Sequence, residues 1–313
     1  MDRAPPPLSK TRDRRQSAVA RPLLMLAAVA VAAFAAPSAA QTLDRIAATR
    51  TVQIGFVAEQ APFASKGPDG TPSGYAIDLC GVVVSAIARR VEGVRPHYVE
   101  TTVADAFDAV ASGRIDLLCG AITANLARRE RVDFSEPIFL TGMSALMHVN
   151  SLRNLRELFF GTREISPPRS PEMRPFARLR IGVRTGTTTE KVLRQAIESG
   201  GYEVDIVGYG AHADGLGALE SRQIDAYFAD RGLLIGLIAK ARDPSSLVLG
   251  ARILSREPYA IAMRRGDADM RLLVDRALTE FYGTPQFAAL LKRYFGIEAS
   301  EIETQVILLS IPE

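Results

Sequence analysis

Residues 116–135 read DLLCGAITANLARRERVDFS. The run from Asp116 to Cys119 is short and apolar, as a buried strand ending at Gly120 would be. Thr123 and Asn125 are helix-capping residue types, and the sequence from Leu126 opens as a helix. Arg128 then falls at about the third helical position, where a cation opposes the helix dipole. The cost is offset if Arg128 faces an anion that also takes the free amides at the helix start. The other local reading is a solvated basic run of Arg128, Arg129 and Arg131, and both readings stand on these residues alone.

Strands and helices alternate on either side. The expected elements are an apolar strand at 52–57, a turn at Asp69 and Gly70, and a helix at 76–91 with Ile77, Val84, Ile87 and Ala88 inward. A strand at 97–100, a helix at 103–112 closed by Gly113 and a strand at 115–119 follow. A second α/β unit begins near Leu179. It comprises a strand at 180–183, a turn at Gly186, a helix at 189–199, a strand at 205–208, a helix at 213–221 and a strand at 224–229. A strand at 258–263 and helices at 269–281 and 285–294 complete the pattern. Such alternation implies mostly parallel sheets with helices on both faces. Segment 161–178 holds four prolines and reads as an exposed excursion.

The 116–135 pattern resembles the periplasmic solute-binding proteins for polar amino acids, family 3 of that class. Their motif is a strand, then G-x-x-T-x-T-x-x-R, then V-D-F-S. Gly120, Thr123, Asn125, Arg128 and the run from Val132 to Ser135 stand in register with it. The resemblance extends from about Thr51 to Gly296. It leans toward the glutamate/aspartate-binding branch through Cys80 and Cys119, Asn125 and residues 243–263. It implies an α/β fold of two lobes, each a mostly parallel sheet flanked by helices, joined by a two-stranded hinge. Lobe one would take 42–137 and 259–296, lobe two 138–258, and 297–313 would be a C-terminal tail. The crossings would lie near 138–142 and 253–258.

A free amino acid carries a carboxylate and an ammonium on one carbon, so its site needs a cation with amide donors and an acid nearby. Arg128 offers a planar fork of donors, and Thr123 and the backbone at Ala121 add hydrogen bonds. In the second lobe Thr187 and Thr188 follow Gly186 at a helix start, which either binds an anion or merely caps the helix. The resemblance assigns the ammonium to Asp230, whose other reading is a cap for the helix at Gly232. Glu59 and Asp78 are weaker candidates for the ammonium, and Arg184, just before the Gly186 turn, stands where some relatives of the resemblance use a cation near the ligand side chain. The chain also departs from its resemblance. Gln60 and Val103 stand where relatives stack aromatics on the ligand, and Val57 and Ala106 where the glutamate/aspartate branch places arginines.

The first forty residues read as a cleaved secretory signal: a basic lead, an apolar run at 23–36 and a small-x-small site before Gln41. The chain has a formal net charge of +3. Residues 1–40 hold six Lys/Arg and two Asp/Glu, so the remainder carries 32 basic and 33 acidic side chains. The basic balance therefore belongs to the leader, and nothing calls for a nucleic acid partner. Export to the periplasm makes one disulfide between Cys80 and Cys119 the simplest reading, with buried free thiols as the other. His97, His148 and His212 show no metal-ligand spacing with the cysteines, and no cofactor is expected. The expected protein is a periplasmic monomer that captures an amino acid by lobe closure and presents it to an inner-membrane ABC permease. The alternatives are a ligand sensor that signals to a membrane receptor, or an enzyme similar to cyclohexadienyl dehydratases.

Overall fold

The computed structural model describes residues 42–151, 153–160, 179–200, 204–296 and 299–312. The leader and the 161–178 excursion lie outside the described residues. The chain begins with α1 (Thr42–Thr49), β1 (Thr51–Val57), a small hairpin of β2 (Ser65–Lys66) and β3 (Pro72–Ser73), and α2 (Tyr75–Ala88). Then come β4 (Arg95–Thr101), α3 (Ala106–Ala111), β5 (Leu117–Leu118), α4 (Leu126–Arg129) and β6 (Val132–Thr141). The middle of the chain forms β7 (Met143–His148), α5 (Arg153–Phe159), β8 (Arg180–Arg184), α6 (Thr188–Gly200) and β9 (Asp205–Tyr209). It continues with α7 (His212–Glu220), β10 (Ala226–Asp230), α8 (Arg231–Ile238) and β11 (Leu247–Leu249). The last elements are β12 (Glu257–Arg264), α9 (Ala268–Tyr282), α10 (Pro285–Phe295) and α11 (Ala299–Leu309).

Two five-stranded sheets result, in the orders β4-β1-β5-β12-β6 and β11-β7-β10-β8-β9. Each is parallel across three strands and antiparallel beyond them. In the first sheet β12 runs antiparallel to β5 and β6; in the second, β7 runs antiparallel to β10 and β11. The inner parallel strands β1, β5, β8 and β10 are largely buried, as strands covered on both faces are, whereas the edge strands β4 and β9 have no fully buried residue. β10 is buried along its whole length. β6 was not legible as a ten-residue strand, since Glu136 and Pro137 interrupt its pattern. Its edge position tolerates the proline, which has no N–H to offer a neighbour.

The chain leaves the first sheet at the end of β6 and re-enters it at β12, and the two crossings run side by side. Thr141 pairs with Glu257, and Met143 N donates to Ser255 Oγ at 2.9 Å. Gly142 makes this approach feasible: a Cβ there would stand 1.9 Å from the Ser255 carbonyl oxygen.

Beneath the crossings lies an aromatic cluster of Phe63, Tyr75, Phe139, Tyr259 and Phe295. Phe139 stacks on Phe295 at 4.9 Å and meets Phe63 edge-on at 4.8 Å. The Tyr75 hydroxyl donates to the Ile138 carbonyl at 2.7 Å, so its polar tip is met in the core. α2 buries Ala76, Cys80, Val83 and Ile87 along one stripe. Ala88, expected inward, is exposed because it lies one residue past that stripe at the end of the helix. Cys80 and Cys119 are joined, with Cα atoms 6.5 Å apart, which ties α2 to the end of β5. The tail forms α11, which buries Ile302 and Val306 against the body. Ile311 N donates to Glu136 Oε1 at 2.8 Å and fastens its end.

Candidate functional site

A small cavity of about 40 Å³ lies where the two sheets meet. It gathers residues from seven segments of the chain. Arg128, Thr123, Ala121, Thr187, Thr188, Asp230 and Arg184 all line it. Glu59 does not: it is exposed, with φ of +63°, and borders two neighbouring surface depressions instead. The turn that sends Gln60 inward directs Glu59 outward.

Arg128 sits on α4, a single helical turn whose first N–H groups have no helical acceptors. Asn125 caps it, Oδ1 accepting from Arg128 N at 2.9 Å. The guanidinium turns back rather than out: Nη1 donates to the Thr123 carbonyl at 2.7 Å, and the group lies over the Phe107 ring at 4.6 Å. Burial pulls its pKa down, and the negative charges of Glu257 and Asp230 push it back up. Arg128 is therefore held in a pocket with acids, which removes the surface-run reading.

Asp230 ends β10 and stands at the cap position of α8, but its side chain makes no capping bond. The capping alternative is thus excluded for the carboxylate. Instead Asp230 accepts from the Tyr259 hydroxyl across the two sheets, and from Thr189 Oγ1 at 3.1 Å. Desolvation first, then the nearby Glu257 charge, raise its pKa from 3.8 to about 7.

Thr187 has a different part from the one expected. Its hydroxyl donates to the Arg184 carbonyl at 2.8 Å and accepts from Glu190 N at 3.2 Å. Glu190 Oε2 accepts in turn from Gly186 N at 2.8 Å, close to a reciprocal capping box. The hydroxyl is thus committed to the turn, and what remains for an anion is the main-chain N–H of Thr188 and Thr189 at the helix start. The Ala121 amide is likewise engaged, donating to Gln60 Oε1 at 3.1 Å.

Five lining residues were not anticipated as site residues: Glu257, His212, Phe107, Ile122 and Leu233. Glu257 is 2% exposed and accepts from Thr123 Oγ1 at 2.8 Å and Ser255 Oγ at 2.9 Å. It links the hinge to the residue whose carbonyl holds Arg128. An acid opening an otherwise apolar strand was the signal available for it. His212 pairs through Nδ1 with the Tyr227 hydroxyl at 2.9 Å. Burial, helped by the Arg184 charge, lowers its pKa to about 3, so it is neutral at pH 7. Val57, Val103 and Ala106 form an apolar stretch of the wall. Arg184 is 8% exposed; its Nε donates to the Gly210 carbonyl at 3.3 Å, and its Nη1 is buried without a hydrogen-bond partner. An unmet buried donor costs about 1–3 kcal/mol, and more when charged.

Two sheets joined by paired crossings, with a charged cleft between them, define a two-lobed binding-protein fold. The profile of the bacterial extracellular solute-binding proteins, family 3, matches residues 52–297, and the chain belongs to that family. The L-glutamate/L-aspartate-binding protein of Pseudomonas aeruginosa is 28% identical over 284 residues, which cover 88% of this chain and 87% of the relative. A glutamate/aspartate import solute-binding protein of Escherichia coli is 26% identical, over 82% of this chain and 80% of its own length. In fold, the chain is similar to the crystal structure of an ancestral amino acid-binding protein, a precursor of cyclohexadienyl dehydratase. That match has a TM-score of 0.67 and 23% identity, covering 82% of this chain and all of the other.

Proposed function

We propose that this protein is exported to the periplasm, captures a free amino acid between its lobes without chemical turnover, and delivers it to an inner-membrane ABC permease. One observation carries the reading: Arg128 of the first sheet and Asp230 of the second line the same cavity. Arg128 takes the α-carboxylate together with the amides at the start of α6. Asp230 takes the ammonium, replacing or sharing its bond with Tyr259. Room of about 40 Å³ holds only a few waters, so entry of a ligand requires the two sheets to part and then close. Closure removes water and strengthens both charge pairs. The family, the import function in the name of the Escherichia coli relative and the leader-like N-terminus support the same reading.

Calorimetry of the folded chain against the common amino acids tests it. Saturable binding of at least one, recovered unchanged afterwards, is expected. Failure to bind any amino acid would refute the reading.

A further inference from the structure

Glu257 is an acid built into a cavity that, on the reading above, has to receive another. It opens β12 at the second crossing, pairs with Thr141 of the first, and is 2% exposed. Both of its carboxylate oxygens are engaged. Oε2 accepts from the Thr123 hydroxyl at 2.8 Å and Oε1 from the Ser255 hydroxyl at 2.9 Å. Ser255 Oγ itself accepts from Met143 N, past the other crossing, at 2.9 Å. One carboxylate thus spans from the turn that leads to Arg128 to the strands that join the two sheets. Its charge also reaches both groups assigned to the ligand: it favours the charged form of Arg128 and opposes ionisation of Asp230. Arg128 forms no ion pair among the described residues. Nη1 is held by the Thr123 carbonyl, which leaves the rest of its fork to an oxyanion.

A hydroxyl has one proton and donates once. Thr123 donates to Glu257, in a bond that the charge of the acceptor strengthens. An α-carboxylate seated on Arg128 lies beside the same hydroxyl, because Thr123 is the residue that holds the guanidinium. Two like charges then face a single donor. We propose that Glu257 is a positioning residue that acts as an internal competitor of the ligand's α-carboxylate: it holds the Thr123 hydroxyl until the carboxylate takes it, and then rests on Ser255 alone. The inference depends on the amino-acid reading above and deepens it. The competition lowers affinity for every amino acid alike, since the α-carboxylate is common to all. It also carries the arrival of the carboxylate to the crossings, because the oxygen that Glu257 keeps engaged is bonded to Ser255 and through it to Met143.

The test is calorimetry of the whole folded chain, wild type and Glu257→Gln, with the common amino acids across a range of pH. Glutamine keeps the shape and an acceptor oxygen but not the charge. At about pH 8, above the pKa of about 7 that Asp230 reaches, each amino acid that binds the wild type should bind Glu257→Gln about tenfold more tightly. Asp230 is faced by Glu257 and Tyr259 from β12, by Thr189 from α6 and by Arg128 from α4. Removing one of the negative charges there favours its ionised form, so the midpoint of affinity against pH should also move downward. A purely structural role for Glu257 requires weaker binding and an unmoved midpoint, and either result would overturn the proposal. If Glu257→Gln does not fold, Glu257→Asp carries the test. One methylene shorter, it cannot keep both Thr123 and Ser255, and a gain of about threefold is expected; no gain would then overturn the proposal. Binding by the wild type without a gain in the variant sinks this inference and leaves the amino-acid reading intact; a wild type that binds no amino acid sinks both.

Discussion

Arg128 and Asp230 face each other because of what their neighbours do with the backbone. Arg128 is turned inward by its own bond to Thr123 and by Phe107 beneath it. Arg128→Ala removes the cation and the contact together. Amino-acid affinity should fall by at least about 100-fold, with little change in melting temperature, as calorimetry and circular dichroism would show. Asp230 makes binding depend on pH. Its folded-state pKa is raised from 3.8 to about 7, chiefly by burial. Only the ionised form attracts an ammonium, so affinity should rise about tenfold per pH unit up to about pH 7 and then level off. The stability effect has the opposite sign. With a raised pKa, the folded chain holds its proton longer than the unfolded chain. Asp230's contribution to stability is therefore full below about pH 4 and is lost as pH rises through about 7. The Tyr259 hydroxyl lowers the pKa of Asp230 by donating to it. Tyr259→Phe should accordingly move the midpoint of the affinity profile upward in pH. An unmoved midpoint would show that the phenol has no hold on the carboxylate.

At the scale of elements, the start of α6 shows how a turn serves both folding and binding. Gly186 adopts φ of +76°, which places its N–H against Glu190, and Thr187 closes the cap. Thr187→Ala should cost about 1 kcal/mol of stability. The melting temperature should drop by roughly 2–4 °C, because the lost bond is a cap rather than a ligand contact. The disulfide acts between elements. It closes a loop whose ends are 39 residues apart, anchoring α2 to the strand that leads into the Arg128 turn. Replacing both cysteines by serine should destabilise the chain by up to about 4 kcal/mol in denaturant titration. The same titration with a reducing agent should bring the wild type toward the variant. Much of this level was legible. The strands at 52–57 and 180–183 and the helices at 189–199 and 269–281 follow from apolar runs and periodicity. β6 and α11 did not. A proline within β6 masks its extended pattern, and α11 is stabilised by docking against the body rather than by a strong pattern of its own.

At the scale of the whole molecule, the paired crossings decide how the two sheets can move. Gly142 lies so close to Ser255 that any side chain there must push the crossings apart. Gly142→Ala should therefore shift the balance between open and closed forms. Small-angle scattering should give a larger radius of gyration for the variant than for the wild type when both are saturated with ligand. Equal radii would show that the crossings tolerate the added methyl group.

The 116–135 stretch by itself determined that a strand runs into a capped turn bearing an arginine. Apolar periodicity determined the α/β alternation, since each strand and helix encodes its own buried face locally. What only the tertiary structure decided is which polar groups answer one another. Glu257 joins Thr123 across more than a hundred residues, Gln60 takes the Ala121 amide, and Tyr259 reaches Asp230 from the other sheet. Arg184 is left with an open nitrogen. The reason is physical: periodicity reports which face of an element is apolar, whereas hydrogen-bond partnership within a cleft depends on ångström-scale placement of segments that are brought together only when the chain folds.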